Sequence, residues 1–347
     1  MYFIKICSNI KFTVKLKTKG DVFIKKQRKT PIFIIKLSAL ANRLPLAHLK
    51  KQEILEDLRN YKSGFKGEQS LDFFYRYLPK DQFQLLHGIR IEYDDYHFQM
   101  DSLIVTPSFI LNLEIKNWGG NIYFDDRFSQ VIRTLDGMQQ SFTNPIEQVK
   151  RQNYHLSQLL HQHKFPSIPV EHLVIMTNPN VIIEASPSYI EAYKRVIKSH
   201  VLQKKFQEFT HLYETPIFSS KQTKKFIKLL NKLHCEYNPD VCEKYQITKD
   251  ELITGVLCPS CDQTVMNYVK GTWWCSICSF KSKTAHINAL KDYALLISPI
   301  ITNQECRDFL HLDSRSKTNH LLYALNLPST GSTKSRQYDL EPLFIHK

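Results

Sequence analysis

Apolar and polar residues alternate along residues 98–118, FQMDSLIVTPSFILNLEIKNW, with the two-residue period of β-strands. The pattern predicts two short strands with a turn at Pro107, and it places Asp101, Glu114 and Lys116 within these otherwise apolar strands. Because alternate residues of a strand point to opposite faces, we expect Glu114 and Lys116 to share one face. The other face of the second strand is apolar and consists of Leu111, Leu113 and Ile115.

The spacing of apolar residues and the positions of Gly and Pro predict the neighbouring elements. Upstream, a break at Ser63-Gly64 separates two predicted helices. Downstream, Asn144 followed by Pro145 is typical of a helix N-terminus, and Asp136-Gly137 of a turn. In chain order, the predictions are helices at 46–61 and 66–78, strands at 82–91, 98–106 and 109–117, a hairpin at 121–134, a helix at 144–163, and a strand at 170–177. The order of helix, three strands, helix and strand indicates an α/β fold.

Composition and charge narrow the class of protein. The chain has 347 residues, enough for more than one domain, and its hydrophobic and charged fractions of 42% and 23% are typical of a globular protein rather than a disordered one. The net charge is +14, and residues 1–36 hold ten Lys or Arg against the single acid Asp21. This predicts a basic N-terminal arm or edge hairpin with a polyanion as partner, although a charged run is more often only a solvated face.

Membrane and secretory classes are not supported by the sequence. No apolar run approaches the roughly 20 residues that span a bilayer, and lysines interrupt the opening segment MYFIKICSNIKF, which we interpret as neither a signal peptide nor an anchor. Four of the eight cysteines form two C-x-x-C pairs. This usage fits a metal site in a reducing compartment, so we expect a cytoplasmic protein.

The charged residues of the central strands suggest a specific chemistry. Two carboxylates with an ammonium group beside them can hold a divalent metal and steer an attacking water. Buried carboxylates are costly unless they are paired or metal-bound, so Asp101, Glu114 and Lys116 are also compatible with a structural ion pair at a sheet edge. The spacing alone leaves both interpretations open.

Three segments together resemble the NERD (nuclease-related) domain family: GEQSLDFFYRYLP, FQMDSLIVTPSFILNLEIKNWGGNIYFDD and NPIEQVKRQNYHLSQLL. They occur in the family's order and cover about residues 64–177. The family looks like a divergent member of the restriction-endonuclease-like, PD-(D/E)xK group. The resemblance therefore implies an α/β restriction-endonuclease-like core (αβββαβ) and a nuclease site that uses Mg²⁺ or Mn²⁺.

The resemblance also implies roles for single residues. The positions that match the family's catalytic motif are Glu68, Asp101, Glu114, Lys116 and Gln148. Asp101 and Glu114 would bind the metal, and Lys116 would orient or deprotonate the attacking water or stabilise the pentacovalent phosphorus. Without the resemblance, Glu68 is explained as an acid in the first turn of a helix, where the helix dipole favours it.

Two positions depart from the pattern of the wider group. Gln152 stands where a related exonuclease branch has a tyrosine, four residues after Gln148. Met100 replaces the proline that usually precedes the aspartate of the motif. The first departure bears on the role of the helix that carries both glutamines.

Cys258-x-x-Cys261 and Cys275-x-x-Cys278 are separated by thirteen residues. Two such pairs can supply four thiolates to a tetrahedral structural zinc, and redox pairs or an iron–sulfur cluster are the alternatives. The segment resembles zinc ribbons of the topoisomerase type, which some NERD proteins carry. Thr272-Trp273-Trp274 is predicted to be a supporting strand, and the ribbon would present Lys270, Trp273 and Lys281 to nucleic acid.

Residues 300–340 are similar to a helix-turn-helix with a small wing. Thr302 and Ser314 are predicted to cap two successive helices, and a short strand follows a Gly/Ser turn. Arg315, Lys317, Thr318 and His320 would face DNA. The alternative is a helical hairpin that packs on the ribbon.

Together these features predict five regions and one main function. The regions are a basic arm and helix (1–60), a NERD nuclease-like domain (61–178), a helical linker (179–252), a zinc ribbon (253–283) and a helix-turn-helix-like C-terminal domain (284–347). We expect a divalent-metal-dependent nuclease-like protein that acts on nucleic acid, on DNA rather than RNA, with a structural Zn²⁺. The alternatives are an inactive nucleic-acid-binding protein and a redox or scaffold protein built around the ribbon.

Overall fold

The computed structural model describes residues 28–93, 96–261, 264–332 and 335–344. Over these residues the protein is a mixed α/β structure with several sheets. In chain order its α-helices are α1 (Ile32–Arg43), α2 (Lys51–Tyr75), α3 (Pro145–Gln162), α4 (Ile190–Arg195), α5 (Leu202–Leu212), α6 (Ser220–Leu233), α7 (Val241–Tyr245), α8 (Ala285–Leu296), α9 (Asn303–Leu310) and α10 (Arg315–Ala324). The strands up to the end of the central sheet are β1 (Gln84–Tyr93), β2 (Tyr96–Val105), β3 (Ile110–Lys116), β4 (Asn121–Asp125), β5 (Gln130–Leu135), β6 (Met138–Thr143), β7 (Val170–Met176), β8 (Ile182–Ala185) and β9 (Val196–Lys198). The later strands are β10 (Val256–Leu257), β11 (Val265–Val269), β12 (Thr272–Trp274), β13 (Lys281–Ser282), β14 (Ile300–Thr302), β15 (Ser329–Thr330) and β16 (Gln337–Asp339).

The central sheet has the strand order β1-β2-β3-β7-β9. The first three strands are antiparallel neighbours, whereas β7 runs parallel to β3 and β9 runs parallel to β7. Helices α2 and α5 cover one face through residues such as Leu71 and Phe206. Helices α3 and α6 cover the other face through residues such as Leu159 and Phe226. The sheet is therefore the buried middle layer of three.

Several local predictions are confirmed. The strands predicted at 98–106 and 109–117 are β2 and β3. The helix predicted after Asn144 is α3, and the Asn144 side chain caps it by accepting the Ile146 N–H at 3.0 Å. The turn predicted at Asp136-Gly137 joins β5 to β6, and both of its residues have positive φ. Local turn and capping chemistry therefore placed these boundaries correctly.

The predicted break at Ser63-Gly64 is wrong, because α2 continues through both residues as one 25-residue helix. A glycine inside a helix costs only about 1 kcal/mol relative to alanine. Buried residues on both sides of the break, such as Ile54 and Leu71, anchor the two halves in the core and outweigh that cost. Glu68 consequently lies well inside α2, so its interpretation as an acid of a first helical turn is also wrong.

The segment predicted as a basic N-terminal arm includes the start of helix α1. Residues 1–27 lie outside the described residues, but α1 buries Phe33, Leu37 and Leu40. It contributes to a core shared with α7 and with Leu295 and Leu296 of α8. This part of the segment therefore packs as core rather than as a solvated charged face.

The stretch at 179–252, predicted as a helical linker, contributes to the central layers. Strand β9 extends the central sheet, and α5 and α6 pack on its opposite faces. Helix α6 of this stretch buries Thr223, Phe226 and Leu230. The sheet therefore extends beyond residue 178 along the chain.

Three smaller sheets accompany the central sheet in the part of the chain that the structure describes. Strands β6-β5-β4-β8 form one beside the central sheet, β10-β11-β12-β13 form a second, and β14-β16-β15 form a third with α9 and α10 nearby. The second and third sheets share one hydrophobic core with α8, α9 and α10. Among the described helices, none combines the length and apolarity that crossing a bilayer requires.

Candidate active site

The candidate site forms where β2 and β3 lie side by side. The two strands pair in antiparallel register, with Ser102 opposite Leu113, which brings Asp101 next to the end of β3. The Ile115 N–H donates a hydrogen bond to Asp101 Oδ2 at 2.9 Å. The predicted alternation of faces is confirmed: Leu111, Leu113 and Ile115 lie in the core on the α2 side. Glu114 and Lys116 pair with each other, with Lys116 Nζ 2.7 Å from Glu114 Oε1.

Helix α3 covers this polar face of β3. Gln148 and Gln152 are four residues apart and so lie on the same side of the helix. Gln148 Oε1 accepts a hydrogen bond from Lys116 Nζ at 3.2 Å. Gln152 Nε2 donates to Glu114 Oε2 at 3.0 Å. Gln152, which stands where a related exonuclease branch has a tyrosine, therefore contacts the Glu114 carboxylate directly.

Asn112 is a member of this cluster that sequence reasoning missed. Its amide donates to Gln152 Oε1 at 2.9 Å and to Asn153 Oδ1 at 3.0 Å. Because Gln152 Oε1 accepts this bond, the Gln152 NH₂ group is directed at Glu114. Asn112 Oδ1 itself has no hydrogen-bond partner among the described residues. The available signal was a polar residue two positions before Glu114 on a buried strand.

Glu68 reaches the cluster from α2. Gly67 allows this approach, because a Cβ at Gly67 would lie 2.6 Å from Asn117 Cβ and 2.8 Å from Thr177 Oγ1. Asn117 Nδ2 also donates to the Ser63 carbonyl at 2.9 Å, which ties α2 to the end of β3. The helix therefore contacts the strand ends through a position without a side chain.

Arg28 is a second residue that sequence reasoning missed. Its guanidinium pairs with Glu68 and lies 3.4 Å from Asp72 Oδ1. It also donates to Ser102 Oγ at 3.2 Å and contacts His87 Nδ1 at 2.9 Å. The Arg28 side chain is only 5% exposed. A residue of the basic N-terminal segment is thus buried against the candidate site.

Like charges crowd the site. Burial raises the pKa of Asp101 well above its ordinary value, and the charges of Glu114 and Glu68 raise it further. Burial also raises the pKa of Glu68 to about 7, although Arg28 opposes the rise. For Lys116, desolvation alone would lower the pKa, but Glu114 and Asp101 outweigh it and the pKa is raised. Three carboxylates therefore influence one another, with Lys116 and Arg28 as the neighbouring cations.

These acids could hold a divalent cation, since carboxylate oxygen is the ligand that Mg²⁺ and Mn²⁺ prefer. The repulsion that raises the pKa of Asp101 is the kind of imbalance that an added cation relieves. Their oxygens are nevertheless less tightly gathered than the four cysteine sulfurs described below. The four sulfurs lie within 4.8 Å of one another. Among the described residues, the carboxylates of the candidate site do not form a group of ligand atoms as close as this.

The four predicted cysteine ligands come together at one end of the ribbon sheet. Cys258 Sγ lies 3.6 Å from Cys278 Sγ, and Cys261 Sγ lies 3.7 Å from Cys275 Sγ. A disulfide would need about 2.05 Å, whereas sulfurs 2.3 Å from a tetrahedral zinc lie about 3.8 Å apart. The Cys278 N–H also points at Cys275 Sγ at 3.5 Å. The quartet therefore fits zinc.

The supporting strand predicted at Thr272-Trp273-Trp274 is β12, but Trp273 is fully buried and is not presented to a ligand. Its indole N–H donates to His286 Nδ1 at 3.2 Å, and its ring lies 4.8 Å from that of Tyr268. A large aromatic side chain fills the small core that the ribbon shares with α8. Lys270 and Lys281 are exposed, as expected.

The C-terminal residues predicted to face DNA divide into two sets. Arg315, Lys317 and His320 are exposed on α10. Thr318 is fully buried, and its hydroxyl donates to the Ser314 carbonyl at 3.1 Å, so its place in the predicted DNA-facing set is wrong. Ser314 caps α10 as predicted, by accepting the Lys317 N–H.

The fold and the site together define an α/β protein with a buried cluster of three acids and one lysine, combined with a four-cysteine cluster that could bind zinc. Within it, residues 63–177 match the family model of NERD, the nuclease-related domain. This segment contains all five positions that the sequence resemblance assigned to the site, and it agrees with the predicted extent of about 64–177. No curated protein and no solved structure matches the chain.

Proposed function

We propose that this protein is a divalent-metal-dependent nuclease that hydrolyses phosphodiester bonds in DNA, with a restriction-endonuclease-like core. The observation that carries the proposal is the meeting of Asp101, Glu114 and Lys116 in a segment that matches a nuclease-related model. The match supports a nuclease-related function and a nucleic-acid partner. The cleavage chemistry and the choice of DNA over RNA are parts of the proposal.

Asp101 and Glu114 are the proposed ligands of Mg²⁺ or Mn²⁺, and Glu68 adds negative charge nearby. When bound, the metal would lower the pKa of a coordinated water and offset charge on the phosphate. Gln152 holds one Glu114 oxygen at 3.0 Å, which fixes the orientation of that carboxylate. These residues would therefore present a pre-oriented pair of acids to the cation.

Lys116 is proposed to act as a cation on the substrate. It lies 2.7 Å from Glu114 and 3.2 Å from Gln148, and the pairing with Glu114 favours its ammonium form. A held ammonium can orient the attacking water and stabilise charge that develops on the phosphorus oxygens. Gln148 keeps the Lys116 amine in that position.

The C-terminal half is proposed to bind DNA and to be held together by zinc. The four cysteines would hold a structural Zn²⁺, and the exposed Arg315, Lys317 and His320 of α10 would contact the duplex as part of a winged-helix-like domain. A cytoplasmic location belongs to the same proposal, because the cysteines of the described residues form no disulfide.

One observation favours the second candidate function, a catalytically inactive nucleic-acid-binding protein. Both Glu114 oxygens are engaged, one by Lys116 and the other by Gln152, and Glu68 is engaged by Arg28. A site in which the carboxylates already have partners can be retained for structure alone. The same contacts are compatible with catalysis if the metal shares or displaces them.

Cleavage of plasmid and linear DNA in Mg²⁺, Mn²⁺ or EDTA separates the two candidates. We expect metal-dependent cleavage, reduced by about 100-fold or more in Glu114→Gln, which removes a proposed metal ligand, and in Lys116→Met, which removes the cation proposed to act on the phosphate. Glu208→Gln, at an exposed position of α5, is the matched control and should keep full activity. Folding of each variant is checked by thermal unfolding.

The inactive candidate makes the opposite forecast. DNA binding without cleavage in either metal, unchanged by Glu114→Gln, would contradict the nuclease proposal. Loss of folding in both site variants would instead identify the cluster as a structural ion pair.

A further inference from the structure

Helix α6 carries an unusual distribution of charge. Five of its fourteen residues are lysines, and it contains neither Asp nor Glu. The lysines are Lys221, Lys224, Lys225, Lys228 and Lys232. At about 100° per residue they fall within an arc of about 100° on one side of the helix. The opposite side packs into the core through Thr223, Phe226 and Leu230. We call the five lysines the α6 lysine ridge.

The ridge is exposed, and none of its lysines forms an ion pair among the described residues. The amine of Lys225 lies over the Phe165 ring, 5.3 Å from its centre. Some lysines elsewhere in the chain do have an acidic partner. Lys50 pairs with Glu53 at 2.8 Å, and Lys205 pairs with Glu208 at 2.7 Å. Each of these two lysines has an acid three residues away, whereas α6 contains no acid at all.

This arrangement works against the stability of the isolated helix. Lysines spaced three and four residues apart, such as Lys221, Lys224 and Lys228, repel one another. Lys221 and Lys224 also lie near the N-terminus, where the helix dipole disfavours positive charge. A solvated helix face normally mixes both signs of charge. The ridge therefore concentrates a repulsion that a bound polyanion would relieve.

We infer that the α6 lysine ridge binds the sugar–phosphate backbone of duplex DNA. From Lys221 to Lys232 the ridge is about 16 Å long, which matches about five phosphates of one strand along the duplex axis. The inference rests on the proposed function, because a nuclease must hold the strands on either side of its site. It adds a contact surface that lies outside both the acidic cluster and α10.

Two other occupants fit the surface less well. A basic amphipathic helix can lie on an anionic membrane, but it must then bury its apolar face in lipid, and Phe226 and Leu230 of α6 are already buried in the protein. Protein–protein interfaces are depleted of lysine and depend on aromatic or arginine anchors. The ridge has only lysines, which suit phosphates as point charges.

The test compares two double variants that lose the same charge. Lys224→Gln with Lys228→Gln removes two ridge lysines, and Lys50→Gln with Lys205→Gln removes two ion-paired lysines as the matched control. Binding to a fluorescent 30-base-pair DNA is measured by anisotropy in EDTA, across a series of salt concentrations. Each lost phosphate contact makes the negative slope of log K against log salt shallower by about 0.9. The slope of the ridge variant should therefore be shallower than that of the wild type by about 1.8. At about 100 mM salt its affinity should fall by roughly tenfold or more. The control should change by less than about half that slope.

Several outcomes would overturn the inference. The first is an equal salt slope for the two double variants, and the second is that the wild type does not bind the duplex. The third is that the ridge variant binds the duplex normally and loses binding only to single-stranded DNA or to phosphatidylserine vesicles. The ridge variant should unfold at the wild-type temperature or slightly above it, because glutamine is a good helix former and the substitutions remove repulsion. The control loses two surface ion pairs and should unfold at the wild-type temperature or slightly below it. Because EDTA prevents metal-dependent cleavage, the result is independent of the nuclease test. If binding depends on the ridge but no DNA is cleaved, the nuclease proposal is rejected and the inference about the ridge stands. If DNA is cleaved but the ridge variant has the salt slope of the wild type, the nuclease proposal stands and the inference about the ridge is rejected.

Discussion

Glu68 shows how much a single buried side chain of the candidate site depends on its partner. Its carboxylate is buried next to two other acids, and Arg28 is the cation that pairs with it. Breaking a buried ion pair by removing one partner is costly, because the other charge is left without compensation. Arg28 is therefore expected to stabilise the site from a segment that precedes the family-matching domain.

Replacing Arg28 by methionine keeps the aliphatic stem and removes the guanidinium. We expect Arg28→Met to lower the free energy of unfolding by about 2–3 kcal/mol. Adding Glu68→Gln should restore about half of the loss, because the unpaired carboxylate is then gone. Urea unfolding of the wild type, both single variants and the double variant gives the coupling energy directly.

Arg59 on α2 provides the control, since it is exposed and lies 3.8 Å from Glu56. Arg59→Met should change the free energy of unfolding by no more than about 0.5 kcal/mol. Equal effects of Arg28→Met and Arg59→Met would show that the buried pair contributes nothing beyond a surface pair.

Single residues differ in how far the sequence reveals them. Asp101, Glu114 and Lys116 were predictable because strand alternation fixes which side chains share a face. Arg28 was not, because nothing distinguishes it from the other basic residues before it, and forty residues separate it from Glu68. Thr318 was assigned wrongly because polarity was taken to mean exposure, whereas its hydroxyl is satisfied by the helix backbone.

At the level of elements, α2 shows how a helix is positioned against the ends of strands. Its Gly67 faces Asn117 and Thr177 at distances that no side chain can occupy without movement. Its Gly64, one turn earlier, has open space around it. Gly67 is therefore required by a close contact, whereas Gly64 is not. From the sequence alone, Gly64 was predicted to break the helix.

The contrast between these glycines gives an element-scale prediction. Gly67→Ala should destabilise the protein by about 1–3 kcal/mol, because its methyl group forces α2 away from the strand ends. Gly64→Ala should stabilise it by about 0.5–1 kcal/mol through helix propensity alone. Both values are measured by urea unfolding.

The same pair tests whether α2 positions Glu68. Gly67→Ala should also reduce metal-dependent cleavage, and Gly64→Ala should not. If both substitutions stabilise the protein, or both destabilise it, the close contact of Gly67 with the strand ends does not limit the side chain at that position.

Elements were predicted well where local signals and packing agree. Asn144 with Pro145 fixed the start of α3, and alternation fixed β2 and β3. The strand β9, only three residues long, was missed because a parallel edge strand of that length leaves no periodic signal. Tertiary pairing with β7 makes it a strand.

On the scale of the whole molecule, distant parts of the chain are joined by shared cores. Arg43 of α1 pairs with Asp292 of α8 at 2.8 Å and donates to the Gly255 carbonyl just before β10. The ribbon in turn shares its core with the C-terminal helices, through residues such as Trp273 and Leu322. The spacing of residues predicted the ribbon and the C-terminal helices separately. Long-range packing leaves no local sequence pattern, so the core that the ribbon and these helices share could not be predicted.

This shared core predicts that loss of zinc will disturb the whole C-terminal part. We expect about one zinc per chain, lost in Cys258→Ser, because tetrahedral thiolate sites contribute folding energy outright. Cys235→Ser, outside the quartet, is the control and should retain the metal. Zinc is quantified by plasma mass spectrometry. Tryptophan emission reports the disturbance, because two of the three tryptophans, Trp273 and Trp274, belong to the ribbon.

The direction of the emission change follows from burial. Trp273 is fully buried, so removing zinc should expose it and shift the emission to longer wavelength, while the central sheet and the helices that cover it keep their signal in circular dichroism. Central-sheet residues such as Leu113 belong to a different core, so the central sheet should remain folded. A Cys258→Ser protein that still binds one zinc, or that loses it without any change in emission, would contradict both the zinc assignment and the dependence of the C-terminal core on the metal.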